Sequence, residues 1–120
     1  MDFLSLCKKR YSCRKFAKDR IVERELVEKI MEATCLSPSA CNAQPYTFIV
    51  ATGRAAAEVA QARSLGMNKF IEDCSTFIVI TEAPYNMLSK IGSMAKDQDY
   101  RSIDIGIAAA NIALAAEDLG

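Results

Sequence analysis

Two short segments carry side chains suited to binding an anion and a polar ring. They are Arg10–Arg14, with the sequence Arg-Tyr-Ser-Cys-Arg, and Ser37–Pro45, with the sequence Ser-Pro-Ser-Ala-Cys-Asn-Ala-Gln-Pro. Arginine suits phosphate because its planar guanidinium donates two parallel hydrogen bonds and stays charged at every relevant pH. The hydroxyl and amide side chains between two prolines suit a polyol, or a ring edged with donors and acceptors. Together the segments predict a site for a phosphorylated, ring-bearing cofactor.

Four stretches of the chain occur in an order that resembles the N-terminal two-thirds of the members of a known family. An Arg-x-Ser-x-Arg run at Arg10–Arg14 follows a short first helix, and a Pro-Ser-x-x-Asn-x-Gln-Pro loop at Pro38–Pro45 leads into a strand. An Asn-Lys-Phe-Ile segment opens Asn68–Ile80, and an apolar helix covers Ile103–Gly120. The first run alone would be a weak signal. The order and spacing of all four resemble the nitroreductase family, whose members are FMN oxidoreductases.

The resemblance gives residues of the first segment roles around a flavin. Arg10 and Ser12 match the positions that bind the flavin phosphate, where a charge-assisted hydrogen bond contributes about 1.5–3 kcal/mol. Arg14 matches a basic residue near the ribityl chain and the pyrimidine side of the ring, where a cation stabilises the charge of reduced flavin. Tyr11 is expected to contribute through its backbone. Without the second segment, the same run would be interpreted as a solvated basic stretch.

The resemblance assigns the second segment to a loop that the family presents to the cofactor from the second subunit. Ser39 and Asn42 are the expected direct contacts, through their hydroxyl and amide groups. A serine is common in the family at the position of Ala40, so one hydroxyl contact is absent here. A simple helix stop would account for the start of the segment but not for its two amide side chains. The loop residues implied as cofactor contacts are Pro38, Ser39, Ala40, Asn42 and Gln44.

Three further polar residues have candidate roles outside these segments. Asn68 resembles an asparagine that hydrogen-bonds the pyrimidine edge of the flavin, and an N-cap for the turn Lys69–Glu72 is an equal alternative. Asp104, near the start of the last helix, is expected to stabilise the helix dipole. Asn111, in the middle of that apolar helix, is expected to pair across an interface.

Composition excludes several classes of function. Acidic and basic residues balance at 15 each, so no net charge attracts the chain to nucleic acid or to an anionic membrane. Histidine is absent, which excludes a histidine triad, a histidine metal site and a histidine base. The five cysteines form no Cys-x-x-Cys pair, which argues against a disulfide framework and against a zinc site. With neither signal peptide nor membrane span expected, the prediction is a soluble cytoplasmic protein.

The helices and strands that must position these residues are predicted from the spacing of apolar residues and from the prolines and glycines that end regular structure. Continuous apolar character from Phe77 to Ile80 predicts a strand buried on both faces. The helix after Ser102 is apolar nearly all round, which predicts burial between other layers. Helices are predicted at Asp2–Lys9, Val22–Leu36, Arg54–Arg63, Pro84–Lys96 and Ser102–Leu119, and strands at Tyr46–Thr52 and Thr76–Thr81.

These elements predict an α+β fold that occupies residues 1–120 as one domain. The resemblance implies a mixed sheet flanked by helices, with the Ile103–Leu119 helix buried at its centre or at a dimer interface. Two strands do not make an independent sheet. A family member normally continues well beyond the position of Gly120, so the domain is expected to be incomplete at its C-terminus.

The resemblance implies an FMN-dependent oxidoreductase that works as a homodimer with the flavin at the interface. By a ping-pong mechanism, NAD(P)H would deliver hydride and an electron-poor acceptor, such as a nitroaromatic or a quinone, would receive it. Two alternatives remain open. The chain could be a non-catalytic flavin-binding or dimerisation module or part of a flavoenzyme, or the scaffold could serve a more specialised reaction such as flavin-assisted dehydrogenation or reductive dehalogenation.

Overall fold

A computed structural model describes residues 2–18, 20–62 and 66–120 of the chain. Two short 3-10 turns, at Ala40–Asn42 and Lys69–Asp73, interrupt the connections between longer elements. The helices are α1 (Phe3–Lys9), α2 (Arg24–Cys35), α3 (Gly53–Val59), α4 (Met87–Lys96) and α5 (Tyr100–Leu119), and the strands are β1 (Tyr46–Thr52) and β2 (Thr76–Glu82).

Capping side chains set where several helices begin. Asp2 caps α1 by accepting a 3.0 Å hydrogen bond from the N–H of Ser5, and Asn86 caps α4 by accepting one of 2.9 Å from Ser89. Asp99 accepts hydrogen bonds from the N–H groups of Arg101 and Ser102 at the start of α5. The hydrogen bond with the Ser102 hydroxyl, followed by those with the Ser102 N–H and the Tyr85 hydroxyl, lowers the pKa of the Asp99 carboxyl below its usual value of 3.8. Because Asn86 and Asp99 are the caps, α4 starts later, and α5 earlier, than the sequence pattern predicts.

The two strands form one antiparallel pair, which is the whole sheet within the described residues. Tyr46 pairs with Glu82 at one end and Thr52 with Thr76 at the other. The α+β class is therefore confirmed, whereas the expected mixed sheet is not what these residues form. The run at Phe77–Ile80 is half-buried rather than buried on both faces, because one short helix, α3, lies against the pair.

Helix α5 packs against α1 and α2, and its contact with α2 buries apolar side chains. Val27, Ile30 and Thr34 are buried on α2, and Asp104 and Ala108 are buried on α5. The remainder of α5 is half-buried or exposed, so the chain alone does not bury this helix on all sides.

The molecule is more open than a compact domain of its size. Its radius of gyration is 16.1 Å, compared with about 14 Å for a compact domain of this length. Its accessible surface is 8552 Å², compared with about 6,400 Å² for a folded monomer of this mass. Apolar side chains make part of this excess, since several large ones on α4 and on the sheet are exposed.

Candidate functional site

Arg10 lies at the C-terminal cap of α1, where its N–H donates a 2.9 Å hydrogen bond to the carbonyl of Leu6. The residue is half-buried. With Cys7 it lines a cavity of about 360 Å³ whose far wall is the Ala110–Leu114 part of α5. Among the residues that the structure describes, no carboxylate pairs with its guanidinium and no acceptor binds it. The neighbouring Lys9, by contrast, forms a 3.1 Å ion pair with Glu117.

The rest of the first segment is exposed and has no regular secondary structure. Tyr11, Ser12 and Arg14 all face solvent. The guanidinium of Arg14 donates a 3.3 Å hydrogen bond to the carbonyl of Ser12, which ties the two ends of this turn together. The segment is thus a short basic arm beside α1, with hydroxyl and guanidinium groups open to a ligand.

The second segment is a loop with an unusual backbone. Cys41, Asn42 and Gln44 have φ angles of 52°, 50° and 43°. This left-handed region costs a non-glycine residue about 1–2 kcal/mol, and asparagine enters it more readily than most residues. The Ser39 hydroxyl closes the loop by accepting a 3.0 Å hydrogen bond from the N–H of Gln44. Strained backbone of this kind concentrates at ligand sites.

The amide side chains of the loop differ in how they are held. The Gln44 amide donates a 3.5 Å hydrogen bond to the carbonyl of Cys35, at the end of α2. The Asn42 side chain is exposed and makes no hydrogen bond in the described part of the chain. Asn42 is therefore the amide that this loop leaves open to a ligand, while Pro38 and Ala40 contribute backbone and shape.

Side chains of α5, of α4 and of the residue that caps α4 form hydrogen bonds to the backbone of the loop. The Asp104 carboxylate accepts the N–H of Ala40 at 3.1 and 3.2 Å with its two oxygens, and the Ser89 hydroxyl donates a 2.9 Å hydrogen bond to the carbonyl of Ala40. Asn86 donates a 3.3 Å hydrogen bond to the carbonyl of Cys41. Neither Ser89 nor Asn86 is predicted from sequence to bind the loop, because a serine within an amphipathic helix and a residue that caps it give no sign of a partner far along the chain.

Asp104 and Asn111 do not have the roles expected from sequence. Asp99 supplies the cap and the favourable charge at the start of α5, and the buried carboxylate of Asp104 holds the loop instead. The Asn111 amide donates a 2.8 Å hydrogen bond to the hydroxyl of Ser37, within the same chain rather than across an interface. Both side chains fix the second segment onto α5.

The two segments contact different faces of α5. Asp104, Ala108 and Asn111 share one face, since they are spaced at intervals of four and three residues. Ala110, Ala113 and Leu114, which line the Arg10 cavity, lie about 140° around the helix from it at 100° per residue. One chain therefore does not bring Arg10 and the loop to the same side of α5.

Asn68 precedes the Lys69–Asp73 turn, and its exposed side chain makes no capping hydrogen bond. The alternative of a side-chain N-cap is therefore wrong in the part of the chain that is described. The turn contacts the chain just after the first segment, because the rings of Phe70 and Phe16 lie 6.4 Å apart between centroids. Asn68 thus lies on the same side of the molecule as the residues that follow Arg14.

Tyr46 follows the loop directly and has a buried phenol. Within residues 2–18, 20–62 and 66–120, its hydroxyl has no hydrogen-bond partner. Burial, and then the negative charges of Asp104 and Cys35, raise the pKa of Tyr46 above its usual 10.0. The phenol is therefore a proton-bearing group next to the loop rather than a base.

The described residues form no second cofactor site from the predicted contacts, no metal site and no membrane-spanning helix. A larger cavity of about 580 Å³ lies between Phe16, Leu26, Cys74 and Leu119, and contains none of the predicted cofactor contacts. No group of three or more carboxylate and thiol side chains could hold a metal ion in the described regions. None of the described helices has the length and hydropathy needed to cross a membrane.

Comparisons with known proteins agree on one family. The model of the nitroreductase family matches residues 7–120. A curated relative from Methanothermobacter thermautotrophicus, named provisionally an NADH dehydrogenase/NAD(P)H nitroreductase, is 33% identical over all of this chain and 58% of its own length. An FMN-dependent nitroreductase from Clostridium difficile is 31% identical with a TM-score of 0.77, over 98% of this chain and 62% of that one. A protein from Desulfovibrio desulfuricans, described provisionally as a nitroreductase in complex with FMN, is 25% identical with a TM-score of 0.75, over 97% of this chain and 62% of that one.

Proposed function

The chain belongs to the nitroreductase family, and we propose that residues 1–120 form a domain of an FMN-dependent NAD(P)H oxidoreductase. The proposed acceptors are electron-poor compounds such as nitroaromatics and quinones, which would exchange with the nicotinamide at one site in a ping-pong cycle. When bound, FMN would supply the hydride chemistry. The protein would bind the cofactor, orient it and stabilise its charge. Since this chain spans 58% of its curated relative, these activities are proposed for the whole protein.

The observation that carries the proposal is the cation of Arg10, which has no ion-pair partner among the residues that the structure describes. A half-buried arginine without a nearby anion is unusual, because partial burial weakens the hydration of its charge and no described charge compensates it. A phosphate dianion would supply that charge together with two parallel hydrogen bonds. Ser12 would complete the phosphate site with its hydroxyl, beside the backbone of Tyr11. Arg14 would lie near the ribityl and pyrimidine part of the cofactor.

The second segment would supply the opposite wall of the site. Asn42 has the free amide that a flavin edge requires, and the Ser39 hydroxyl keeps an acceptor position after it binds the N–H of Gln44. Ala40 offers no hydroxyl, so we propose one hydrogen bond fewer there. The proposed loop contacts are Pro38, Ser39, Ala40, Asn42 and Gln44, with Asn68 as a further contact to the pyrimidine edge.

We propose that the enzyme is a homodimer with FMN between its subunits. The placement of Arg10 and the loop on different faces of α5 supports this, since two chains can bring both to one cofactor. The excess surface of about 2,000 Å² per chain is of the size that obligate dimers bury. Helix α4 also supports it, because its polar Ser89 is buried while Met87 and Met94 on the opposite side are 78% and 75% exposed.

Replacing the phosphate ligands tests the cofactor site. Arg10→Ala and Ser12→Ala should each weaken FMN binding, the arginine by about tenfold to a hundredfold because it removes a charge-assisted hydrogen bond. Lys8→Ala is a matched control, since it removes an exposed positive charge from the same helix. Flavin affinity measured by fluorescence quenching should be unchanged in the control. Unchanged affinity in both site variants would refute the assignment.

Mixing two defective chains tests whether the site is shared. If Arg10 of one subunit and Asn42 of the other serve the same FMN, a mixed dimer of Arg10→Ala and Asn42→Ala chains has one intact site. Random association would then restore about a quarter of all sites. If both residues served a site within one chain, mixing would restore none. The number of tightly bound FMN molecules after refolding the mixture decides between the two arrangements.

A non-catalytic flavin-binding or dimerisation module remains the second candidate. The exposed apolar surface favours it, because a chain with so much uncovered area needs a partner whether or not it catalyses a reaction. Steady oxidation of NAD(P)H by the chain with added FMN and a quinone would reject this candidate.

We further propose a cytoplasmic location, since all five cysteines are free thiols, as is usual in reducing compartments.

A further inference from the structure

The backbone of Ala40 is held at both of its polar groups by buried side chains from two different helices. Asp104 on α5, which is 2% exposed, accepts the N–H with both carboxylate oxygens. Ser89 on α4, which is 0% exposed, donates its hydroxyl to the carbonyl. A buried carboxylate and a buried hydroxyl are costly unless they are hydrogen-bonded. Their arrangement around one residue therefore indicates a function at that residue.

Ala40 is where such support is most useful, because the strained part of the loop follows it directly. Three of the next four residues, Cys41, Asn42 and Gln44, have positive φ angles. Backbone in this region persists only when its surroundings over-determine it. Asn86, the cap of α4, adds a third bond by donating to the carbonyl of Cys41. The loop thus has an internal closure by the Ser39 side chain and two buried external attachments at Ala40.

We propose that Asp104 and Ser89 are positioning residues for the cofactor-binding loop. By fixing the Ala40 backbone they keep the Asn42 amide and the Ser39 hydroxyl in the orientation that binds the flavin. Ser89 also couples the orientation of the loop to α4. A shift of that helix moves the Ser89 hydroxyl, which is bonded to the Ala40 carbonyl, and therefore moves the loop backbone. The inference rests on the proposed function for the identity of the ligand. The attachment itself is a property of the free protein.

Amide hydrogen exchange in the cofactor-free protein tests the attachment. Asp104→Ala and Ser89→Ala should each raise the exchange rate of the Ala40 N–H by about tenfold, since each removes a buried hydrogen bond that opposes local opening. Ser93→Ala is the matched control. Its hydroxyl bonds the carbonyl of Gln98 at the other end of α4, so exchange at Ala40 should not change. Asp104→Asn keeps one oxygen for the Ala40 N–H and should restore most of the protection.

Flavin binding by the same variants tests the positioning role. The FMN dissociation constant should rise about threefold to tenfold in Ser89→Ala and Asp104→Ala, because the binding-competent loop becomes a smaller fraction of the population. It should return towards the original value in Asp104→Asn. The absorbance bands of bound flavin should shift in the two defective variants and not in Ser93→Ala.

The outcomes separate this inference from the proposed function. Unchanged exchange at Ala40, or faster exchange with unchanged FMN affinity in Ser89→Ala, would overturn the positioning role while the cofactor site stands. Failure of the unaltered chain to bind FMN would instead overturn the proposed cofactor site in these residues, and with it the role of both residues towards a flavin. If Asp104→Ala does not fold, Ser89→Ala and Asp104→Asn carry the comparison, since each changes the buried site by one polar group.

Discussion

The side-chain amide of Asn111 donates a 2.8 Å hydrogen bond to the hydroxyl of Ser37, 74 positions earlier in the chain. Ser37 is buried and follows α2, so this bond joins the middle of α5 to the start of the loop. An amide in an apolar helix would be costly without a partner. The bond therefore explains why a polar residue stands at this place in α5.

Replacing Asn111 by leucine should destabilise the fold. The substitution leaves the Ser37 hydroxyl buried without its donor, which costs about 1–3 kcal/mol. The free energy of unfolding, measured with urea, should fall by that amount. Ser37→Ala and the double variant complete a cycle, in which a coupling energy of about 0.5 kcal/mol or more is expected for residues in contact. Fully additive losses would mean that the bond is absent in solution.

Removing the hydroxyl of Tyr46 should leave stability unchanged or raise it by up to about 1 kcal/mol, because this buried group has no hydrogen-bond partner to lose in the described parts of the chain. Tyr85→Phe is the matched substitution with the opposite expectation. The Tyr85 hydroxyl donates a 3.0 Å hydrogen bond to Asp99 and accepts the N–H of Arg101, so its loss should cost about 1 kcal/mol. Urea unfolding at neutral pH gives the free energy of unfolding of both variants. A larger loss of stability in Tyr46→Phe than in Tyr85→Phe would mean that the Tyr46 hydroxyl does have a hydrogen-bond partner.

Alkaline pH should distinguish the same two variants. The pKa of Tyr46 is raised in the folded protein above its usual 10.0, so the unfolded chain releases this proton first as the pH rises. Stability is therefore lost as the pH rises from 10.0 through the folded pKa of Tyr46. Tyr46→Phe should lack this part of the loss, and Tyr85→Phe should retain it. Unfolding free energies measured on both sides of this range, together with phenolate absorbance, check the expectation.

Valine at Cys41 should destabilise the loop by about 1–2 kcal/mol, because a β-branched side chain is poorly tolerated at a φ of 52°. Cys35→Val is the control at an exposed helical position, where the change should stay within about 0.5 kcal/mol. Cys41→Gly should be neutral or stabilising through relief of the strain. Thermal unfolding of the three variants gives the comparison, and equal melting temperatures for both valine variants would contradict a left-handed Cys41.

Local signals predicted most of the elements of the fold. Pro45 and Gly53 bound β1, and the predicted strand Tyr46–Thr52 is confirmed at both ends. The alanine-rich segment after Gly53 contains no stop signal, so its predicted helix was too long. In the structure α3 ends at Val59, where hydrogen bonds between residues three apart tighten the chain, as from Ala62 to Val59. Arg63, the predicted end, lies outside the described residues.

Burial was harder to predict than secondary structure. The apolar run at Phe77–Ile80 indicates what a strand can bury, but not which neighbours are present to cover it. Asp104 shows the same limit within the site, because its acceptor role depends on the Ala40 N–H, 64 positions away in the chain. The roles predicted for Arg10 and Asn42 depend on their own side chains and on local order, which sequence motifs record. Contacts that act through a distant backbone group leave no such record.

The placement of Arg10 and the loop on different faces of α5 has a thermodynamic consequence. If one FMN binds both, cofactor uptake and chain association are linked by mass action. Each equilibrium then shifts the other, so that flavin affinity rises with protein concentration and added flavin favours the associated form. Dilution would release the cofactor without any change in the site itself. In a cell, the abundance of the chain would then set its occupancy by flavin as directly as the supply of flavin does.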